Sequence, residues 1–210
     1  MKKLTIFAGL LLFTFTSIFA QNLTLESVCK NLSERPNTTG DFVQTKTIQA
    51  NGRKLTSSGK FILSKLGIMW KTEKPFPSSL ILTEDSMVQI AANGKKSVMS
   101  GKDNQIFSNI SSTLSSVFSG DSQALMNNFV CDFSDDEKGN WAVKLSPKDS
   151  TIASVMKILV LSGKWSENSG AALDSLELAE TSGNSILYEF KNQKYPKELS
   201  ADEKQNFVVE

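Results

Sequence analysis

Residues 40–77, GDFVQTKTIQANGRKLTSSGKFILSKLGIMWKTEKPFP, alternate polar and apolar side chains with a period of two. That is the period of a strand and not of a helix, so it commits this part of the chain to a sheet with one face buried. Asn51-Gly52 is a two-residue hairpin signal. Leu66-Gly67 turns the chain again, and Pro75 and Pro77 end a third strand that carries Ile68 and Trp70. Short strands are expected over 80–83, 87–92 and 97–99, turning at Glu84-Asp85 and Asn93-Gly94. The result is an antiparallel meander. The pattern returns over 129–133, 141–145, 158–167, 173–180 and 185–195.

Helical periodicity interrupts it. Leu25, Val28, Cys29 and Leu32 share one helical face, with Thr24 and Ser27 as polar starts, which predicts a helix over 23–32 ended by residues 36–40. Over 105–118, Phe107, Ile110, Leu114 and Phe118 fall on one side and serine and threonine on the other. Those are mediocre helix formers, so this helix depends on the surface it covers. Gly120 ends it, and Asp121 caps a second short helix with Ala124, Leu125 and Met126. One or two helical turns are expected over 150–156.

The architecture that satisfies both patterns is mainly β with some α. It is an open, strongly curved antiparallel sheet whose concave face is covered by the helices. Two outcomes stand. The helices pack as core, or they cover an apolar cavity that takes an apolar ligand.

Lys2 and Lys3, the apolar run over 4–19 and the small Ala20 read as a secretory signal over residues 1–20, leaving 21–210 as one domain in the periplasm. Without Lys2 and Lys3, Lys+Arg falls from 23 to 21 against 22 Asp+Glu. Only Arg35 and Arg53 are arginines. No basic surplus exists to displace counterions, so no nucleic-acid partner is expected. The chain has no histidine. That removes the usual general base and the commonest metal ligand, and no cofactor or metal is expected. The acidic Asp132, Asp135, Asp136 and Glu137 read as a solvated loop, and the chain is not expected to be an enzyme. Cys29 and Cys131 have two readings, a disulfide stapling the first helix to the body or two separate buried thiols.

Four stretches carry a family resemblance: "GDFVQTKTI"; "LTSSGKFIL" followed by "GIMWKTEKPFPSSLIL"; "WAVKLSPKDSTIASVMKILVL"; and "LDSLELAETSGNSILYEFKNQKYPKEL". In this order they resemble the LolA family of periplasmic outer-membrane lipoprotein carriers and its LolA-like relatives. The resemblance implies an open half-barrel with a helical lid over its concave face. It implies a carrier that shields lipoprotein or other lipid acyl chains between inner and outer membrane, with an inner-membrane transporter releasing cargo to it and an outer-membrane acceptor. The alternative is a periplasmic lipid sensor or glycolipid-binding protein of the same fold. Expected wall residues are Phe42, Phe61, Ile68, Trp70, Leu80, Leu82, Val88, Ile90, Trp141 and Val143. Expected lid residues are Phe107, Ile110, Leu114 and Phe118. A monomer is expected. In the family an arginine before the Trp strand helps close the lid; here Ser64 and Lys65 stand in that region.

Overall fold

The computed structural model describes residues 23–83, 86–100, 113, 115–117 and 119–208. Helix α1 (Leu25–Ser33) opens with the Thr24 side chain accepting from Ser27 N, while Thr24 N donates to Ser27 Oγ. This reciprocal cap satisfies two otherwise orphaned donors. Val28, Cys29 and Leu32 form its buried face. Of the residues 36–40 expected to end the helix, Asn37 to Gly40 are already strand. The β-branched pair Thr38 and Thr39 instead begins β1 (Asn37–Ile48), with Asn37 already opposite Ser64.

The meander follows as β2 (Arg53–Ser64), β3 (Gly67–Lys74), β4 (Ser78–Leu82), β5 (Ser86–Ile90) and β6 (Lys96–Ser100). After the interruption come α2 (Ser122–Asn128), β7 (Phe129–Asp135), β8 (Asn140–Pro147), α3 (Ser150–Ala153), β9 (Met156–Ser166), β10 (Gly170–Glu180) and β11 (Ser185–Lys194). Asp121 caps α2 by accepting from Ala124 N.

All eleven strands lie in one antiparallel sheet, ordered β6-β5-β4-β3-β2-β1-β11-β10-β9-β8-β7. It is unclosed, and its two edges are β6 and β7. Those strands are consecutive in the chain. Register shifts at Thr39/Asp41, Ser58/Gly59, Leu173/Ser175 and Ala179/Glu180 bend the strands.

The two faces bury different residues. Cross-strand pairing aligns Leu63, Ile68, Leu82 and Met87 on the inner face. Their neighbours Ile62, Met69, Ile81 and Val88 align on the outer face. The inner face carries the larger apolar cluster, closed by Val28, Cys29 and Leu32 of α1, Val117, Leu125 of α2 and Ile152 of α3. A fourth helix, α4 (Ala201–Gln205), was not expected. It is capped reciprocally by Ser200 and Glu203, and it sets Leu199 and Phe207 against the outer cluster.

Candidate functional site

The inner face is built from aromatic rings on β1, β2, β3 and β11. Phe61 lies 4.8 Å from Phe190, and Tyr188 lies 5.9 Å from both Phe42 and Trp70. Burial pushes the Tyr188 phenol up to about 12. Two glycines make room for these rings. A Cβ on Gly40 would stand 2.8 Å from the Phe61 ring. One on Gly163 would stand 2.7 Å from the Trp141 ring and 1.8 Å from the Ala172 carbonyl oxygen. Gly40 pairs with Phe61 and Gly163 with Trp141, so each ring folds over the bare backbone opposite.

Of the ten expected wall residues, Phe42, Phe61, Ile68, Trp70, Leu82, Trp141 and Val143 are buried in the inner cluster, and Leu80 packs against it. Val88 and Ile90 are elsewhere, and grouping them with the rest is corrected. They belong to the outer cluster with Ile62, Met69 and Ile81. The reason is register. Leu82 pairs with Met87, so the face held by even-numbered residues in β4 passes to odd-numbered ones in β5. Met87 takes the inner place. The expected lid residues Phe107, Ile110, Leu114 and Phe118 lie outside the described residues. Thr113 and Val117 are described there, helical and buried.

Among the described residues, three buried side-chain nitrogens have no hydrogen-bond partner: Trp70 Nε1, Trp141 Nε1 and Arg35 Nη1. A buried donor left unpaired costs about 1–3 kcal/mol, so three such groups around one apolar face call for an explanation. Arg35 lines a small recess with room for about one water molecule. Leu32, Phe61, Leu63, Leu173 and Phe190 give the recess apolar walls, all of them members of the inner cluster. Its polar lining is Arg35, Thr38, Gln193 and Tyr195. Arg35 was read only as one of two arginines. Nothing in its sequence neighbourhood marks it, because its partners are distant in the chain.

Cys29 and Cys131 are unbonded, Cys29 buried and Cys131 partly so. Burial, and then the neighbouring Cys131, push the Cys29 thiol up to about 11. It is therefore protonated at neutral pH and a poor nucleophile. In the acidic loop, Asp136 accepts from the backbone of Lys138 and Asn140 and from the Asn140 amide. The Asn140 side chain holds its carboxyl below the usual range. That carboxylate is occupied in closing the β7–β8 turn. Among the described residues no group of His, Cys, Asp or Glu is arranged to hold a metal ion.

Ser64 and Lys65, in the region of the family's lid arginine, do not reach across the face. Ser64 Oγ accepts from Leu66 N within its own turn, and Lys65 is exposed.

The model of the family described as outer membrane lipoprotein carrier protein LolA matches residues 35–205. The chain belongs to the LolA family. The LolA match takes in every strand, α2, α3 and α4, and begins at Arg35.

Three solved structures are similar to this LolA-family chain. A LolA superfamily protein from Nitrosomonas europaea has 8% identity and a TM-score of 0.46, covering 89% of this chain and 98% of that one. A DUF1329 family protein from Desulfovibrio piger has 12% identity and a TM-score of 0.48, covering 84% and 92%. A putative outer membrane lipoprotein-sorting protein domain from Vibrio parahaemolyticus has 9% identity and a TM-score of 0.41, covering 88% and 99%. No curated protein matches the chain.

Proposed function

We propose that the protein is a periplasmic carrier that holds the acyl chains of a lipoprotein or other lipid against the inner face of its sheet and ferries them from inner to outer membrane. In this reading residues 1–20 are its export signal, residues 21–210 its single domain and the mature chain a monomer. The family's carriers imply an inner-membrane transporter that loads it and an outer-membrane acceptor that unloads it. Among the described residues no helix is long and apolar enough to cross a membrane.

The observation that carries the reading is the nature of the cover. The aromatic inner face of an open sheet is closed by short helical segments and not by a second sheet. Helices that share no ladder with the strands can be displaced without breaking the sheet's hydrogen bonds. An acyl chain of ordinary length represents on the order of 10 kcal/mol of burial, at about 0.8 kcal/mol per methylene. That gain offsets the separation of cover from sheet. The wall in this proposal is Phe42, Phe61, Ile68, Trp70, Leu80, Leu82, Trp141 and Val143. The lid is the segment with Phe107, Ile110, Leu114 and Phe118.

The test is lipid analysis of the mature protein purified from its native compartment, with titration of a neutral apolar fluorophore. Bound lipid and saturable fluorophore binding are expected, with weaker binding in Phe107→Asp and Ile110→Asp. If neither ligand binds and these substitutions only unfold the protein, the helices are core and the carrier reading fails.

A further inference from the structure

Arg35 is held in place without being neutralised. Its guanidinium carbon sits 3.8 Å above the centre of the Tyr195 ring. Its Nη2 donates to the Ser169 carbonyl in the β9–β10 turn. These two contacts fix the plane of the guanidinium. Nη1 is buried with no acceptor, and no carboxylate among the described residues forms an ion pair with Arg35.

The geometry points to a head-group site at Arg35 for the anionic oxygens, phosphate or carboxylate, of an acyl amphiphile whose chain lies along the inner face. This names the ligand class of the carrier site and rests on the carrier reading. Three features of the molecule support it.

The first is position. The recess beside Arg35 has walls that belong to the inner cluster itself. From Phe61 in its wall the apolar surface runs on to Trp70, its cross-strand partner. From Leu173 it runs to Gly163 and the Trp141 ring that covers it. A head group at Arg35 therefore leaves an attached chain against the aromatic array. The second is the donor type. Apart from Arg35 itself and Arg53, every cationic side chain is a lysine. A planar guanidinium fork matches phosphate and carboxylate oxygens in a way an ammonium does not. The third is polarity of demand. The three unpaired buried groups among the described residues are all donors. They suit a ligand whose polar part is rich in acceptors, such as a phosphate or carboxylate with an ester carbonyl.

The competing account is that Arg35 only pins the end of α1 to the β9–β10 turn. Displacement of neutral N-phenyl-1-naphthylamine from the mature protein separates the two. The competitors share one oleoyl chain: 1-oleoylglycerol 3-phosphate, oleate and uncharged 1-oleoylglycerol. The phosphate, the carboxylate or both should displace the probe at concentrations about tenfold below the neutral lipid, as expected for a charge-assisted hydrogen bond. Which of the two does so identifies the head. Arg35→Gln should bring the anionic lipids to the neutral level and leave the neutral lipid unchanged. Arg35→Lys should keep part of the preference.

Equal displacement by all three competitors in the unsubstituted protein overturns the head-group site while leaving the carrier reading intact, and needs no variant. An equal weakening of all three in Arg35→Gln assigns Arg35 to the structural pin and also overturns it. Displacement by none of them removes the carrier reading, and the head-group site with it.

Discussion

At the scale of single residues, the inner face depends on what glycine leaves out. Gly163 has Trp141 across the strand and the Ala172 carbonyl oxygen behind it. A methyl group there meets backbone, which cannot rotate away. Gly163→Ala is expected to cost about 3 kcal/mol through displaced packing, read as a lower urea midpoint at unchanged slope. Cys29 makes a separate prediction. Its thiol titrates near 11 in the folded protein, against the ordinary value of 9.0 for an exposed thiol. Below pH 9 both states hold the proton and the thiol has no effect on the pH dependence. Between about 9 and 11 only the unfolded state releases it, so stability falls as pH rises. Urea midpoints at pH 8 and pH 11 should therefore drop less in Cys29→Ala than in the unsubstituted protein. An identical drop would place Cys29 in water.

At the scale of elements, the strands were legible because each alternation is long enough to count. Asn51-Gly52 marks the first hairpin, and β2 (Arg53–Ser64) starts directly after it. Faces were legible only within a strand. Leu80 and Leu82 were placed on the same side as Val88 and Ile90, and the sequence gives no local signal against it. Thr83 and Ser86 close the turn so that Leu82 meets Met87, and that register alone decides the face. For α4 the signal was present and went unread. Ser200 and Glu203 stand at capping-box spacing, but the helix is short and buries none of its own residues. Its role is to hold Leu199 and Phe207 on the outer face. Ser200→Ala is expected to cost about 1 kcal/mol. Hydrogen exchange should show lost protection at 199–207, with strands β1 and β11 unchanged.

At the scale of the whole molecule, the order of strands makes the cover movable. β6 and β7 stand at opposite edges, and the described residues of the segment joining them, 113, 115–117 and 119–128, pair with no strand. Val117 and Leu125 touch the sheet through side chains in the inner cluster, and at the end of α2 Lys148 N donates to Asn128 O and Lys148 Nζ to Met126 O. The sheet differs, since every strand except the edges β6 and β7 is paired on both sides. The two parts should therefore open at separate free energies. Addition of an acyl ligand should change hydrogen exchange in Ser122–Asn128 by more than tenfold. Amides of β1 and β11, at the middle of the sheet, should keep their rates. A uniform change across sheet and helices would mean that ligand binds without separating the cover, and that the inner face is a fixed core. Such a result would count against a displaceable cover even if lipid were found bound, because the ligand would then occupy some other surface.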